Sequence, residues 1–279
     1  MRKKVGYLGP KGTYSELAAI ELSGDAELVS FSCFPEVFKA LAEGRTDAAV
    51  IPIENTVNGA VTQNLDLMQE YDKIFAIASY DNRIDHRLVT MKGADKGKIK
   101  RIYSHAQALG QCSQYLSKNF PAAQLIATSS TADSLMRITC PEEAGIVGVH
   151  CKKDGFEISD FNISDDKNNY TTFLLVVRGQ PEEALMLRGE YSGAAKTRSD
   201  RVFFSVTCRH EVGGLLNILK ILSDHGINLT EIESRPIKER HGEFRFFMET
   251  EGDMHAPDVA DALRALGEKA LSFKLLGCY

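Results

Sequence analysis

The apolar positions of the first fifty residues switch between two periods. Residues 4–8 are compact and strand-like, and 13–22 are helical, with Thr13 placed to cap that helix. Residues 27–31 return to strand. Phe34, Val37, Phe38 and Leu41 then follow the i, i+3, i+4, i+7 spacing of a helix with one buried face. Residues 47–53 contain Ala-Ala-Val-Ile-Pro-Ile, a buried strand ended by proline. Such βαβα alternation predicts a parallel sheet covered on both faces.

The pattern recurs as strand 102–104, helix 107–120, strand 124–128, helix 131–138 and strand 145–149. Two α/β blocks of similar size predict two lobes with a cleft between them. Ligands of open α/β sheets sit at the carboxyl ends of strands, which here are the loops 9–13, 52–56 and 104–107. Over 180–198 the periodicity gives way to Gly, Pro, Glu, Lys and Ser, the texture of a linker. Beyond it come strand 201–208, helix 214–225, strands 229–237 and 243–251, helix 258–266 and strand 272–278. That βαββαβ order is the ferredoxin-like plan.

The chain has 279 residues, 43% hydrophobic and 25% charged, enough for one large soluble domain and one small one. The formal charge of −5 argues against a nucleic-acid surface. The nearest thing to a basic block, Lys92, Lys96, Lys98, Lys100 and Arg101, is broken by Gly and Asp and reads as a solvated loop. No apolar run suits a secretion signal or a membrane span. The six cysteines form no Cys-x-x-Cys pair and the histidines no His-x-x-x-His pair. Reduced thiols, no metal and a cytoplasmic setting are therefore expected.

Several segments together resemble one family. Gly9-Pro10-Lys11-Gly12-Thr13-Tyr14-Ser15-Glu16 is similar to the opening loop of prephenate dehydratases, and Pro52-Ile53-Glu54-Asn55-Thr56 to their Pro-Ile-Glu-Asn-Ser. Ser104-His105-Ala106-Gln107-Ala108-Leu109, continued by Gln111-Cys112, is similar to Ser-His-Pro-Gln-Ala-Leu. Asn169-Tyr170-Thr171-Thr172-Phe173 resembles Asn-x-Thr-Arg-Phe. Ile227-Asn228-Leu229-Thr230 and Glu233-Ser234-Arg235-Pro236 resemble the family's phenylalanine-binding ACT domain. The resemblance implies an α/β fold with a bilobal, periplasmic-binding-protein-like catalytic domain of two parallel-sheet lobes over 1–180. Lobe one would take about 1–75 and 162–180, and lobe two about 76–161. A linker over 181–199 and a βαββαβ ACT domain over 200–279 would follow. It further implies conversion of prephenate to phenylpyruvate, water and CO2 without a cofactor, feedback by L-phenylalanine, and a homodimer or homotetramer joined through the ACT domain.

Thr171 holds the position of the family's essential threonine, so the resemblance makes it the donor to the departing hydroxyl. By local sequence alone it reads first as a β-branched strand residue, and only the accumulated motifs reverse that. Gly9, Gly12 and Thr13 precede a helix start, where backbone amides favour an anion such as a substrate carboxylate; a tight turn and cap is the other reading. Glu54, Asn55 and Thr56 are suited to orienting hydroxyl and keto groups, though loop polarity looks the same. Ser104 and Gln107 would add donors and Phe173 would line the substrate site. His105, at a strand–helix junction, reads as structural. Gly213, Gly214, Leu215, Asn228, Leu229, Glu233 and Ser234 are the implied phenylalanine-binding set.

Two departures stand out. Thr172 replaces an arginine that would neutralise a substrate carboxylate, leaving Arg83, Arg87 and Lys153 as candidate substitutes. His210-Glu211-Val212-Gly213-Gly214-Leu215 lacks the proline of the family's His-x-Pro-Gly-Ala-Leu, which makes that loop less rigid. The alternatives left open are an arogenate dehydratase, a non-aromatising prephenate decarboxylase, or a catalytically silent phenylalanine sensor.

Overall fold

Buried runs and one-sided stripes sort the chain into two sheets with helices on their faces. The computed structural model describes residues 2–151, 153–194, 197, 200–237 and 242–279. The chain opens with β1 (Lys4–Leu8), α1 (Tyr14–Ser23), β2 (Glu27–Phe31), α2 (Phe34–Ala42) and β3 (Ala48–Asn55), in the predicted order. Thr13 caps α1 as expected, its Oγ accepting from the Glu16 amide at 3.3 Å. A short β4 (Gly59–Ala60) and α3 (Thr62–Glu70) lead into β5 (Ile74–Arg83).

The second block holds β6 (His86–Met91), β7 (Arg101–His105), α4 (Ala106–Gln111), α5 (Ser113–Asn119), β8 (Gln124–Thr128), α6 (Ser134–Arg137), β9 (Glu143–Gly148) and β10 (Phe156–Asp160). The helix predicted over 107–120 is broken at Cys112. Asp165 supplies a separate start for α5, accepting from Ser113 Oγ at 2.9 Å and the Gln114 amide at 3.1 Å. The helix predicted over 131–138 shrinks to α6, because Ser130 Oγ accepts from the Asp133 amide (3.0 Å) in a competing turn. The chain returns as β11 (Tyr170–Arg178), then α7 (Pro181–Met186), β12 (Arg201–Thr207), α8 (Gly214–Asp224), β13 (Leu229–Pro236), β14 (Phe244–Glu251), α9 (Pro257–Lys269) and β15 (Ser272–Cys278).

Among the described residues the strands form two sheets, β13-β14-β12-β15-β5-β11-β3-β1-β2 with β4 beside β3, and β10-β6-β9-β7-β8. The lobes are mixed, not purely parallel as expected. β1 runs parallel to β2 and β3, but β11 is antiparallel to both β3 and β5. The cause is topological: β5 carries the chain out of the first sheet and β11 brings it back, so the two must run in opposite directions. β6 and β10 do the same for the second sheet. Because β5 remains in the first sheet to Arg83, the crossing falls at Ile84–Asp85 instead of near residue 76.

The stretch read as a linker is folded where it is described. α7 is followed by a 3-10 turn, Leu187–Glu190, and Tyr191 and Ala194 are 1% and 0% exposed in one core with Ala18, Ala19 and Leu22 of α1. One aromatic anchor among small and polar residues carries no period, so the pattern concealed it. Residues 195, 196, 198 and 199 of that expectation lie outside the described residues.

The ferredoxin-like unit continues the first sheet. Gly277 of β15 pairs with Ala76 of β5, and a Cβ at 277 would stand 2.6 Å from Ala76 Cβ, so glycine alone permits the approach. Arg235 donates through Nη2 to Asp66 Oδ2 at 2.8 Å, and Ser205 Oγ meets Gln69 Oε1 at 2.5 Å. Lys274 Nζ donates to the carbonyls of Met68, Gln69 and Tyr71 at 3.0, 2.9 and 3.0 Å, closing the end of α3. Among the described residues no helix is long and apolar enough to cross a membrane. Lys274→Met is expected to orphan those carbonyls and lower stability by about 1.5–3 kcal/mol, read as the shift in denaturant midpoint. A midpoint unchanged within error would show that water satisfies the helix end.

Candidate active site

β3 and β11 lie side by side with Asn55 directly opposite Thr171. Between Thr172 and Phe173 the register slips, so that Phe173 faces Pro52. This bulge leaves Ile53 without a counterpart and turns Pro52 and Asn55 to the same side. Both line a crevice of about 410 Å³ between the two sheets, together with Thr171 and Phe173. The facing wall comes from the second sheet: His86, His105, Gln107, Gln111 and the 129–131 loop. No Lys, Arg, Asp or Glu is among the described residues lining it.

Asn55 is the hub. It is 7% exposed and its carboxamide is engaged at both ends. Nδ2 stands 2.7 Å from Asn169 Oδ1, 2.9 Å from the Tyr170 carbonyl and 2.9 Å from Thr171 Oγ. Oδ1 accepts from the Val57 and Asn58 amides at 3.2 and 3.0 Å and from Asn58 Nδ2 at 2.7 Å. Since Asn55 donates to Thr171 Oγ, the threonine hydrogen must point elsewhere. No acceptor among the described residues takes it, and the crevice lies in front.

The expected residues divide by strand alternation. Asn55, Thr171, Phe173, Gln107, Gly9 and Thr13 line the crevice; Glu54, Thr56, Ser104 and Gly12 do not. Ser104 is fully buried and ties two strands by donating to the Ile146 carbonyl at 2.7 Å. Thr56 Oγ seams the end of β3 to the returning chain, donating to the Asn168 carbonyl and accepting from the Tyr170 amide, each at 3.0 Å. The glycine amides expected to be free for an anion are occupied: Gly9 donates to the Phe31 carbonyl at 2.9 Å and Gly12 to Glu16 Oε2 at 2.6 Å. The helix start thus receives a carboxylate of its own chain.

Thr172 falls on the face opposite Thr171. Its Oγ donates to Asp81 Oδ1 at 2.7 Å, and it pairs in register with Glu54 and Asp81 on either side. An arginine at 172 would therefore meet those carboxylates and not the crevice. The three cations suggested as its substitutes also lie elsewhere. Arg83 pairs with Asp85 at 3.3 Å, Arg87 stacks over Phe161 at 5.2 Å, and Lys153 donates to the Leu135 carbonyl at 2.9 Å.

Residues missed from sequence come from strand starts and loops. His86 opens β6, and His105, read as structural, does cap α4 through Nδ1 while also lining the crevice. Gln111 stood in a matched motif without being singled out. Ser129, Ser130 and Thr131 follow β8, the strand-end position where ligands of open sheets sit.

In the C-terminal unit the implied effector residues do not share one cavity. Gly213, at φ +82°, takes the left-handed conformation that opens α8. Asn228 and Leu229 line one cavity of about 410 Å³, Leu215 a second of about 150 Å³ and Gly214 a third of about 270 Å³. Glu233 and Ser234 lie apart from all three, on β13, the outermost strand of its sheet.

Behind the crevice, Glu54 approaches Glu231 and Glu249. Burial, followed by the charges of Glu249 and Asp81, pushes the Glu54 carboxyl up, and burial, reinforced by Glu54, Glu249 and Glu233, pushes Glu231 up to about 7 from 4.5. A folded state that keeps a proton the unfolded chain has already lost becomes less stable as pH rises through that interval. Glu231→Gln is expected to flatten the fall in thermal midpoint between about pH 4.5 and 7, and Thr172→Arg to reduce it by placing a cation between Glu54 and Asp81. A midpoint profile identical in all three proteins would remove the carboxylate cluster as its cause.

A family model for prephenate dehydratase matches residues 5–181, and one for the ACT domain matches 202–268. A bifunctional chorismate mutase/prephenate dehydratase of Pseudomonas aeruginosa is 31% identical over 279 residues, covering 99% of this chain and 73% of that protein. A prephenate dehydratase of Amycolatopsis methanolica is 31% identical over 280 residues, covering 99% and 88%. The crystal structure of prephenate dehydratase from Arthrobacter aurescens, solved with L-Phe, superposes with a TM-score of 0.86 at 30% identity, covering 99% of this chain and 89% of that one. A crevice built around Asn55 and Thr171 and a ferredoxin-like unit extending its sheet thus sit on a shared framework: the chain belongs to the prephenate dehydratase family and carries an ACT domain at its C-terminal end.

Proposed function

We propose that the chain converts prephenate to phenylpyruvate, with loss of water and CO2, and that L-phenylalanine binding to the ACT domain regulates it. The observation that carries the reading is the Asn55–Thr171 contact, which leaves the threonine hydroxyl able to donate within a crevice whose described lining carries no Lys, Arg, Asp or Glu. Prephenate loses its ring carboxylate as CO2 while that bond's electrons enter the ring, and the hydroxyl leaves from the para carbon at the other end of the electron flow, taking up one proton from solvent to become water. Thr171 donates a hydrogen bond to the departing oxygen as negative charge builds there. Aromatisation supplies the driving force, so the protein's tasks are pose, donor and dryness.

The absence of cations from the described lining suits this chemistry. A guanidinium clamped on the ring carboxylate would stabilise the starting state, whereas decarboxylation disperses that charge. Neutral hydroxyls and amides hold the substrate without the penalty. The same lining offers no carboxylate to an ammonium, which favours the keto acid over arogenate. Gln107, Gly9, Thr13 and Phe173 complete the substrate enclosure. Glu54, Thr56, Ser104 and Gly12 support it from behind.

Division of labour follows the two units: 1–180 for catalysis, 200–279 for regulation. The implied effector residues are scattered over one chain's α8, the turn after it and the edge strand β13. Edge strands carry an unpaired ladder that a second strand completes, and a second copy joined there would bring separated half-sites together. A homodimer or homotetramer is the corresponding assembly.

Three measurements test the reading. Thr171→Val is expected to lower kcat by about 10²–10³-fold with an unchanged fold by circular dichroism. Wild-type turnover would remove the assigned donor. The wild-type protein given prephenate should yield phenylpyruvate by mass; a retained diene would indicate decarboxylation without dehydration, and no turnover with retained phenylalanine binding would indicate a sensor. Arogenate should be used at least about tenfold less efficiently, since its ammonium lacks a partner.

A further inference from the structure

His86 opens β6 just after the chain crosses between sheets, and it is 2% exposed. Its backbone is fixed on both sides: the amide donates to Ser164 Oγ at 3.2 Å and the carbonyl accepts from the Ile163 amide at 3.1 Å. The Tyr14 ring packs edge-on at 6.4 Å. Burial holds the imidazole below the ordinary histidine range, so it is neutral near neutral pH.

A neutral imidazole carries one N–H, and its neighbours decide which nitrogen holds it. His86 Nε2 lies 2.9 Å from Gln111 Oε1, an acceptor, so Nε2 carries the hydrogen. Nδ1 is then a bare lone pair, and no partner for it exists among the described residues. The opposite tautomer would bury an N–H with nothing to receive it, the costlier arrangement. Gln111 is thereby oriented: its oxygen is committed to His86, and its Nε2, enclosed and without an acceptor among the described residues, is left as a donor in a side chain that lines the crevice.

We propose that His86 is a positioning residue, which holds the Gln111 carboxamide so that it presents hydrogens, and not its oxygen, to a carboxylate or keto oxygen of the substrate. Without the imidazole donor a carboxamide can turn over, and half of its orientations would aim a carbonyl at the substrate oxygen. An uncharged crevice makes this matter, because its selectivity for anionic oxygens depends on which end of each amide faces inward. The inference rests on the crevice being the substrate site.

The test has two arms. In full-length protein labelled with ¹⁵N-histidine, the His86 resonances, assigned by their loss in His86→Gln, are expected to show the neutral Nε2–H tautomer. An Nδ1–H tautomer or a charged ring at neutral pH would overturn the proposal, and this arm needs no turnover, so it stands apart from any failure of the dehydratase reading. In kinetics with prephenate, His86→Leu is expected to raise KM about tenfold, the worth of one misdirected hydrogen bond, with kcat changed less than about threefold. His86→Gln, whose amide hydrogens reach the same place, should restore KM. In a Gln111→Ala background His86→Leu should add nothing further. Additive effects in the double variant, or no recovery in His86→Gln, would show that the imidazole acts on packing and not through Gln111.

Discussion

The registration of Asn55 against Thr171 is the constraint on which the site depends. It requires that β3 and β11 be neighbours, antiparallel, and offset by one bulge at Thr172. Each condition has a separate source. Antiparallel adjacency comes from the chain leaving the first sheet on β5 and returning on β11, with the buried run Leu174–Val177 slotted between β3 and β5. The bulge re-aims Pro52 and Asn55 together. With perfect alternation Asn55 and Ile53 would share a face, and one of the site's wall residues would be replaced by a core side chain.

The same alternation gives the strands two functions on two faces. On one side of β11, Thr171 and Phe173 look into the crevice; on the other, Thr172 joins Asp81 and Glu54 in a carboxylate-rich layer toward the regulatory strands. The layer links the units electrostatically, since burial and then the Glu54 carboxylate of β3 raise the proton affinity of Glu231 on β13, and Glu249 of β14 raises that of Glu54. A second link, made of direct contacts, runs through α3. Its far end is closed by Lys274 and held by Arg235, while Asn64 donates to the Pro52 carbonyl at 2.7 Å beside the crevice. The C-terminal strands and the crevice wall are thus joined in the structure through one helix and one strand.

The described lining of the crevice carries no charged side chain and relies instead on amides and hydroxyls. Neutral donors lack a charge to signal their direction, so each must be oriented by a partner. Asn55 is fixed by Asn169 and Asn58, Thr171 by Asn55, and Gln111 by His86. The crevice side chains are held by contacts among amides, a hydroxyl and an imidazole, most of them between residues far apart in sequence.

The amino-acid pattern by itself determined the α/β blocks, the capped start of α1, the buried strand β3 and the βαββαβ order of the C-terminal unit, because each depends on contacts within a few residues. The motif resemblance picked out Asn55, Thr171, Phe173 and Gln107, all of which line the crevice. What the pattern could not decide was facing. Whether Glu54 or Asn55, Ser104 or His105, Thr171 or Thr172 turns inward depends on strand register and on a bulge, and a shift of one residue reverses every choice. Mixed sheets, the crossing at residue 84, the packing of Tyr191 and the pairing of His86 with Gln111 likewise arise from partners separated by 25 to 115 or more positions. Local periodicity holds no record of such partners; only the assembled sheets do.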